Sequence, residues 1–316
     1  MSTRLFLAVF LAAFASLWAY AAISWAQEKT APPVLGDVAE GFFKFDYGDL
    51  TIVALSDAAT EMAPELFFDI SPEDLAALAL QNGLPGPGFP GWINAFIVKK
   101  DNLLYLVDAG TGGADPKFQV NLLKAGYTPA EVTHILITHF HGDHIGGLID
   151  QNGEAVYPNA NVYASAPEDA YFLPDEGGAP VPGTELAARV TKAYRERLKY
   201  RVFAPETEIT PGVKAVSFFG HTPGHSGFRF ESSAGPFLAW GDIVHAYLVQ
   251  FARPEVTLSY DVSRPDAARA RLEAFRQAVA EGCLVAGAHL PFPGVGKVVA
   301  AGEAFRWAPY GTEESQ

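Results

Sequence analysis

The sequence has very little sulfur to work with. Cys283 is the one cysteine among 316 residues, so no disulfide can form within a copy and stability must come from a buried core. Cys283 opens the apolar run Cys283-Leu284-Val285-Ala286, the setting of a buried small hydrophobe and not of a nucleophile. Charge is also scarce and one-sided. Only 18% of residues are charged, and the formal balance is −14. No run rich in lysine or arginine interrupts it, so a nucleic acid would meet like charge, and that class of partner is excluded. No G-x-S-x-G segment supplies a serine at a nucleophile elbow. Internal repeats and low-complexity tracts are missing too.

What remains is 49% hydrophobic, the composition of a folded chain that buries a substantial core. Residues 1–26 read as an export signal: Arg4 as the positive start, Leu5 to Ile23 as the apolar stretch, then Ser24-Trp25-Ala26 before Gln27. The expected location is the periplasm, with no membrane contact once the signal is cleaved. An uncleaved anchor is the competing reading of so long a stretch. Residues 27–40 read as a linker and 41–316 as one domain. Strands are expected at Thr51–Leu55, Ile93–Val98, Leu103–Val107, His134–Thr138, Asn161–Ala164, Val213–Phe219, Phe228–Glu231, Phe237–Trp240 and Leu284–Ala288. Helices are expected after an Asp115 cap, at Pro72–Leu80, at Glu185–Leu198 and at Pro265–Ala280, the last with Leu272, Phe275 and Val279 inward. Such interleaving predicts an α/β fold. The glycines and prolines of Thr60–Trp92 predict a long loop of the kind that forms lids.

The chemistry concentrates in Thr138-His139-Phe140-His141-Gly142-Asp143-His144. His139 and His141 are two apart, so in extended backbone both leave the same face. Gly142 then permits a turn that returns Asp143 and His144 to that point. Three more metal-capable residues arrive singly near strand ends: His225 in Thr222-Pro223-Gly224-His225, Asp242 after Trp240-Gly241, and His289 after Gly287-Ala288. Strand ends are where α/β folds assemble sites. A lone histidine is usually structural, and His134 is read that way. His221 is expected to hydrogen-bond within its loop and not to bind metal.

This H-x-H-x-D-H segment, followed by Thr-Pro-Gly-His, a strand-terminal Asp and a late His, resembles the metallo-β-lactamase superfamily. More narrowly, Leu106-Val107-Asp108-Ala109-Gly110, Gly241-Asp242-Ile243-Val244 and Ala288-His289-Leu290-Pro291-Phe292-Pro293-Gly294 are similar to the methyl parathion hydrolase branch and its exported esterase and lactonase relatives. The resemblance implies an αββα four-layer sandwich with two mixed β-sheets. It implies two divalent cations, zinc first, with manganese, cobalt or iron also suited. His139, His141 and His225 would hold one, Asp143, His144 and His289 the other, and Asp242 would bridge, with a bridging hydroxide attacking the substrate. Asp143 and Asp242 are thus the catalytic candidates, Asp143 as a proton carrier. Asp108 would orient a ligand histidine. Asp57 either does the same or serves a turn. A homodimer is implied by the resemblance alone.

For substrate, His245, Phe172, Trp92 and Phe67 are the pocket candidates. Phe172 matches an aromatic that, in the resembled branch, receives an aryl leaving group. A polar His245 favours an ester or lactone over a phosphotriester. The expected reaction is hydrolysis of an aryl ester or lactone, with side activity on organophosphotriesters. Its alternatives are a dedicated acyl-homoserine lactone hydrolase, a phosphotriesterase, and a metal-binding protein without turnover.

Overall fold

The computed structural model describes residues 41–312, apart from 87, 115–116 and 176–177. The signal segment 1–26, the linker 27–40 and the Asp115 cap therefore lie outside the described residues. In chain order the first elements are β1 (Phe42–Tyr47), β2 (Leu50–Met62), β3 (Phe67–Phe68), α1 (Pro72–Gln81), β4 (Phe89–Lys100) and β5 (Leu103–Val107). Then come α2 (Lys117–Lys124), β6 (His134–Leu136), α3 (Gly142–Ile145), β7 (Asn161–Ser165), α4 (Ala166–Phe172) and α5 (Thr184–Arg195). β8 (Tyr200–Phe203), β9 (Glu208–Thr210), β10 (Val213–Ser217), β11 (Ser226–Phe230) and β12 (Phe237–Ala239) follow. The last are α6 (Tyr247–Gln250), β13 (Thr257–Leu258), α7 (Arg264–Glu281), β14 (Leu284–Ala286), β15 (Val295–Ala301) and β16 (Ala304–Pro309).

Two seven-stranded sheets result, ordered β1-β2-β4-β5-β6-β7-β8 and β16-β15-β14-β12-β11-β10-β9. Both are mixed: β5 to β8 pair in parallel within the first, and β12 with β14 in the second. Strand alternation stacks them. Val53 and Leu55 of β2, Ala95 and Ile97 of β4, and Leu104 and Leu106 of β5 face outward, onto Phe118 and Leu122 of α2 and Ala187, Val190 and Tyr194 of α5. Their neighbours Ile52, Ala54, Phe96, Val98, Tyr105 and Val107 face inward, onto Phe228, Phe237, Ala239, Leu284 and Ala286 of the other sheet. Leu238 and Val285 then turn outward onto Ala270, Ala274, Phe275 and Ala278 of α7. A period of two on strands buried on both faces produces the four layers, and the αββα expectation holds.

Two expectations change. The stripe that buries α7 is Ala267, Ala270, Arg271, Ala274, Phe275 and Ala278, whereas Val279 is exposed. Small residues at that spacing let the helix lie close to the sheet, and one ring fills the gap. The region 60–92 is not an irregular loop either. β2 continues to Met62 and pairs with β4 from Phe89 onward, and α1 lies between them, with Ser71 accepting the Asp74 N–H at 3.0 Å. Met62, Phe67, Leu75, Ala79 and Phe89 pack with Val249, Val256 and Leu258 as a fourth core cluster. Backbone pairing across the hairpin outweighs the turn propensity of its glycines and prolines.

Among the described residues no helix is long and apolar enough to cross a membrane. Phe275 stacks on Phe251 at 4.8 Å and also meets Phe305 and Trp240. Phe275→Ala should cost about 3–5 kcal/mol of unfolding free energy, read by denaturant melts; a loss near zero would show that α7 does not depend on this ring.

Candidate metal centre

Strand ends and one turn deliver the side chains. β5 hands on to Asp108, whose φ of 58° redirects the chain. β6 leads into His139-Phe140-His141, and α3 then begins with His141 at its cap. Gly146 lets this loop press on its neighbour, since a Cβ there would stand 2.0 Å from the Thr111 carbonyl oxygen. From the second sheet, the turn between β10 and β11 carries His221 and His225. Asp242 follows β12, and His289 follows β14.

They meet around the Asp242 carboxylate. Its Oδ2 lies 3.1 Å from His289 Nε2, 3.2 Å from His245 Nε2, 3.3 Å from His221 Nε2 and 3.5 Å from His139 Nε2. Its Oδ1 lies 3.1 Å from His144 Nε2. Asp143 Oδ2 is 3.6 Å from both His144 Nε2 and His289 Nε2. Two donor groups follow: His139, His141, His221 and Asp242, and beside them Asp143, His144 and His289. His245 forms a third grouping with Asp242 and His289.

Hydrogen bonds behind the rings decide which nitrogen each imidazole presents. His144 Nδ1–H donates to Asp108 Oδ2 at 2.8 Å. His221 Nδ1–H donates to Asp261 Oδ1 at 2.9 Å. His289 Nδ1–H donates to the Trp92 carbonyl at 2.6 Å. Thr138 Oγ, whose proton goes to Asp108 at 2.8 Å, accepts His139 Nδ1–H at 3.0 Å. In each case the bond fixes the tautomer and leaves the Nε2 lone pair facing the cluster.

The cluster has the chemistry of a cation site. His221 Nε2 stands 3.2 Å from His139 Nε2 and 3.1 Å from His141 Nδ1, a spacing that lone pairs keep only with a proton or cation between them. His144 Nε2 and Asp242 Oδ1 are buried without hydrogen-bond partners, a costly state that a shared cation relieves. Asp108, Asp143, Asp242 and Asp261 converge here, and Arg271 approaches Asp261 at 4.0 Å. Burial would raise the Asp242 carboxyl, but His144, His289, His139 and His245 hold it well below the ordinary carboxylate value. Burial, then the neighbouring His221, pushes His141 down to about 3. Burial lowers His144 as well, but Asp242, Asp143 and Asp108 outweigh it and hold that ring well above the usual imidazole value, so these carboxylates favour a positive charge at its Nε2, from a proton or from a cation in the proton's place. Imidazole and carboxylate donors in this number fit a dinuclear divalent-metal site.

The sequence reading and the structure differ on two histidines. His225 was expected in the first donor group and His221 outside it, and the structure exchanges them. His225 Nε2 accepts the Asp242 N–H at 2.9 Å while its Nδ1–H donates to the Phe218 carbonyl at 3.2 Å, so its lone pair is already used. Spacing along Gly220-His221-Thr222-Pro223-Gly224-His225 does not reveal this. The deciding partner, Asp261, lies 40 residues beyond His221, and sequence reasoning missed it. Of the two roles open to Asp57, its bonds are those of the turn: its carboxylate accepts the Thr111 N–H, the Thr111 hydroxyl and the Phe118 N–H, so it ties a loop to α2. Asp108 does orient His144.

A cavity of about 660 Å³ opens onto the donors, lined in part by Phe172, His245, Met62, Ile93, Tyr171 and Val262. Phe172 and His245, two of the four pocket candidates, are in this lining. Phe67 instead packs on Phe89 at 5.2 Å in the fourth core cluster. The Trp92 ring meets Tyr247 edge-on at 5.9 Å and is not in the cavity lining; its contribution is the backbone carbonyl that holds His289.

Residues 89–287 match the family description of the metallo-beta-lactamase superfamily, and the chain belongs to that superfamily. It is similar to an N-acyl homoserine lactonase of Bacillus sp, 29% identical over 121 residues, or 38% of this chain and 42% of that protein. It is also similar to a hydroxyacylglutathione hydrolase of Synechococcus sp. (strain JA-2-3B'a(2-13)), 32% identical over 155 residues, 46% of this chain and 50% of that one. The chain thus spans about half the length of these curated relatives or less. Among solved structures, a hydrolase of the beta lactamase superfamily named AbOPH superposes with a TM-score of 0.81 at 31% identity, covering 86% of this chain and 98% of that one.

Single substitutions separate the two histidines. His221→Ala should bind about one metal fewer per chain by elemental analysis. His225→Ala should keep the metal count and lose about 1–3 kcal/mol of stability, because the Asp242 N–H is left unpaired. The reverse pattern would restore the sequence-based assignment. Asp57→Ala should lower stability by about 3 kcal/mol with metal content unchanged; metal loss there would make it part of the centre.

Proposed function

We propose that the chain is a dinuclear-metal hydrolase of neutral, largely apolar esters, with lactones and aryl esters as its substrate class. The observation that carries this reading is the cavity wall. Met62, Ile93, Tyr171, Phe172 and Val262 line it, and among the described residues no lysine or arginine does. A glutathione thioester or a penicillin brings its own carboxylate, and with the scissile bond at the cations no lysine or arginine of the wall is left to pair with it and offset its desolvation cost. A neutral ring or acyl chain avoids that cost and gains roughly 25 cal/mol per Å² buried. Similarity to N-acyl homoserine lactonase over part of its length supports the lactone side, and a dedicated acyl-homoserine lactone hydrolase is the narrower form of the same reading. Neutral organophosphotriesters satisfy the same wall and are the expected side substrates.

His139, His141, His221 and Asp242 would hold one cation, and Asp143, His144 and His289 the other, with Asp242 between them. Zinc, or manganese, cobalt or iron in its place, would supply a water acidified toward hydroxide near neutral pH and a Lewis acid for the reacting oxygen. Asp143, with 29% of its side chain open, lines the cavity and is placed to carry a proton to the departing alkoxide or phenoxide. His245 stacks on His289 at 5.0 Å and turns its Nε2 to within 3.2 Å of Asp242 Oδ2. Its ring meets Tyr260 at 5.8 Å, and Tyr260, Ser259 and Thr60 in the cavity lining are the polar side chains to which a substrate carbonyl or ring oxygen could bond. Tyr171 and Phe172 shape the end that seats a ring or chain.

A metal-binding protein without turnover is the competing class. A structural zinc site closes with four ligands, whereas these donors form the floor of an open cavity. The test begins with about two metals confirmed per chain, then compares kcat/KM for dihydrocoumarin, a long-chain acyl-homoserine lactone and methyl paraoxon. Dihydrocoumarin should lead methyl paraoxon by roughly a hundredfold, about 2.7 kcal/mol. Paraoxon in the lead would make the chain a phosphotriesterase, and bound metal with no turnover of any ester would sink the enzyme reading. Stripping the metals with a chelator should abolish turnover, and adding zinc, manganese or cobalt should restore it.

A further inference from the structure

Glu168, in the first turn of α4, is buried with 1% exposure, and no lysine or arginine pairs with it among the described residues. A glutamate at this position commonly folds back onto its own helix cap. The bonds that Glu168 accepts come from elsewhere. Its Oε1 takes the N–H of Phe140, the residue between His139 and His141, at 2.8 Å. Its Oε2 takes the Thr222 hydroxyl at 2.6 Å and the Gly224 N–H at 3.0 Å, both just beyond His221. The two histidine-bearing segments belong to different sheets, and one carboxylate holds both. The turn is pressed against α4 as well. Ser165 Oγ donates to the Gly224 carbonyl at 2.6 Å, and a Cβ on Gly224 would stand 2.1 Å from Glu168 N.

We propose that Glu168 is a positioning residue that sets the spacing between the His139–His141 segment and His221, and so tunes the affinity of that metal position and not of its neighbour. The proposal rests on reading the cluster as a dinuclear site. Burying a carboxylate is expensive unless each oxygen is bonded, and here every donor belongs to a ligand-bearing segment. In the second donor group, His144 and His289 are oriented by Asp108 and the Trp92 carbonyl, and the side-chain hydrogen bonds of Glu168 go to Phe140, Thr222 and Gly224 instead.

The test is stepwise zinc titration of the metal-free chain against a competing chelator, with a thermal melt of the metal-free form beside it. Glu168→Gln keeps one acceptor oxygen but turns an amide NH₂ toward a donor. One of the two dissociation constants should rise by roughly 10–100-fold, and the other should stay within about threefold. Thr222→Val removes one of the three bonds, folds more readily, and should raise the same constant by roughly three- to tenfold. Glu168→Asp, with an intact carboxylate, should recover part of the loss. A lower melting temperature with both constants unchanged would make Glu168 a structural residue only and overturn the proposal, as would an equal rise in both constants. If the unsubstituted chain binds no zinc, the metal reading itself falls, and this proposal with it.

Discussion

A buried carboxylate surrounded by imidazole nitrogens at 3.1–3.5 Å is the constraint around which the molecule is organised. Hydrophobic packing does not favour such an arrangement, because every polar atom in it must be desolvated and only some find hydrogen-bond partners. It persists if the surrounding fold fixes each ring in place and if a cation completes the bonding. The stacked sheets provide the first condition. β5 and β6 run in parallel in one sheet and β12 and β14 in the other, so the segments beyond their ends meet at one edge of the sandwich. Side chains from segments far apart in sequence can then converge without any one of them leaving its layer.

Orientation comes from a further ring of groups that would never touch a metal. Asp108, Asp261, Thr138 and the Trp92 carbonyl each take the Nδ1–H of a different histidine. Thr138 is the immediate neighbour of His139, but the other three partners lie far along the chain from the rings they hold, so those three tautomers depend on tertiary structure and not on local sequence. Asp261 is itself held by the Leu258 N–H at 2.9 Å, in the segment that Arg271 braces through the carbonyls of Ile243, Pro254 and Val256. The state of one imidazole is thereby tied to a fully buried guanidinium on the outermost helix, and the layers of the sandwich are parts of one electrostatic network.

The share of this that is legible in the sequence follows from range. His139, His141, Asp143 and His144 lie within six residues, and a strand followed by a glycine turn is enough to gather them; that inference needed no tertiary information. The α/β class was legible for a similar reason, since β-rich runs interleaved with helical ones are local features, whereas the four-layer sandwich followed from the family resemblance. His221 and His225 were exchanged because both flank the same Pro223-Gly224 turn, and only Asp261 and the Asp242 N–H distinguish them. Phe67 and Trp92 were read as pocket residues because aromatics beside a glycine- and proline-rich stretch resemble a lid. Cross-strand pairing of β2 with β4, invisible in local propensity, turns that stretch into a packed wall. Glu168 carried no signal at all, because a glutamate in the first turn of a helix is ordinary until its hydrogen-bond donors are known.

That wall separates the two problems an enzyme of this fold has to solve. The donor groups are supplied by strand ends and by the turn between β10 and β11, anchored in the three cores that hold the four layers together. The side of the cavity bearing Met62 and Ile93 is built on the hairpin extension of β2 and β4, with its own cluster around Phe67, Leu75 and Phe89. The hairpin's tie to the centre is a backbone one, the Trp92 carbonyl on the His289 Nδ1–H, so side-chain exchange at Met62 or Ile93 is expected to alter what the cavity admits and to leave that bond in place. The opposite side is less free, since Phe172 stands edge-on to His141 at 6.0 Å and sits on the same short helix as Glu168. Substrate selection can therefore vary on one side of the cavity, while the other side is constrained by the geometry of the centre itself.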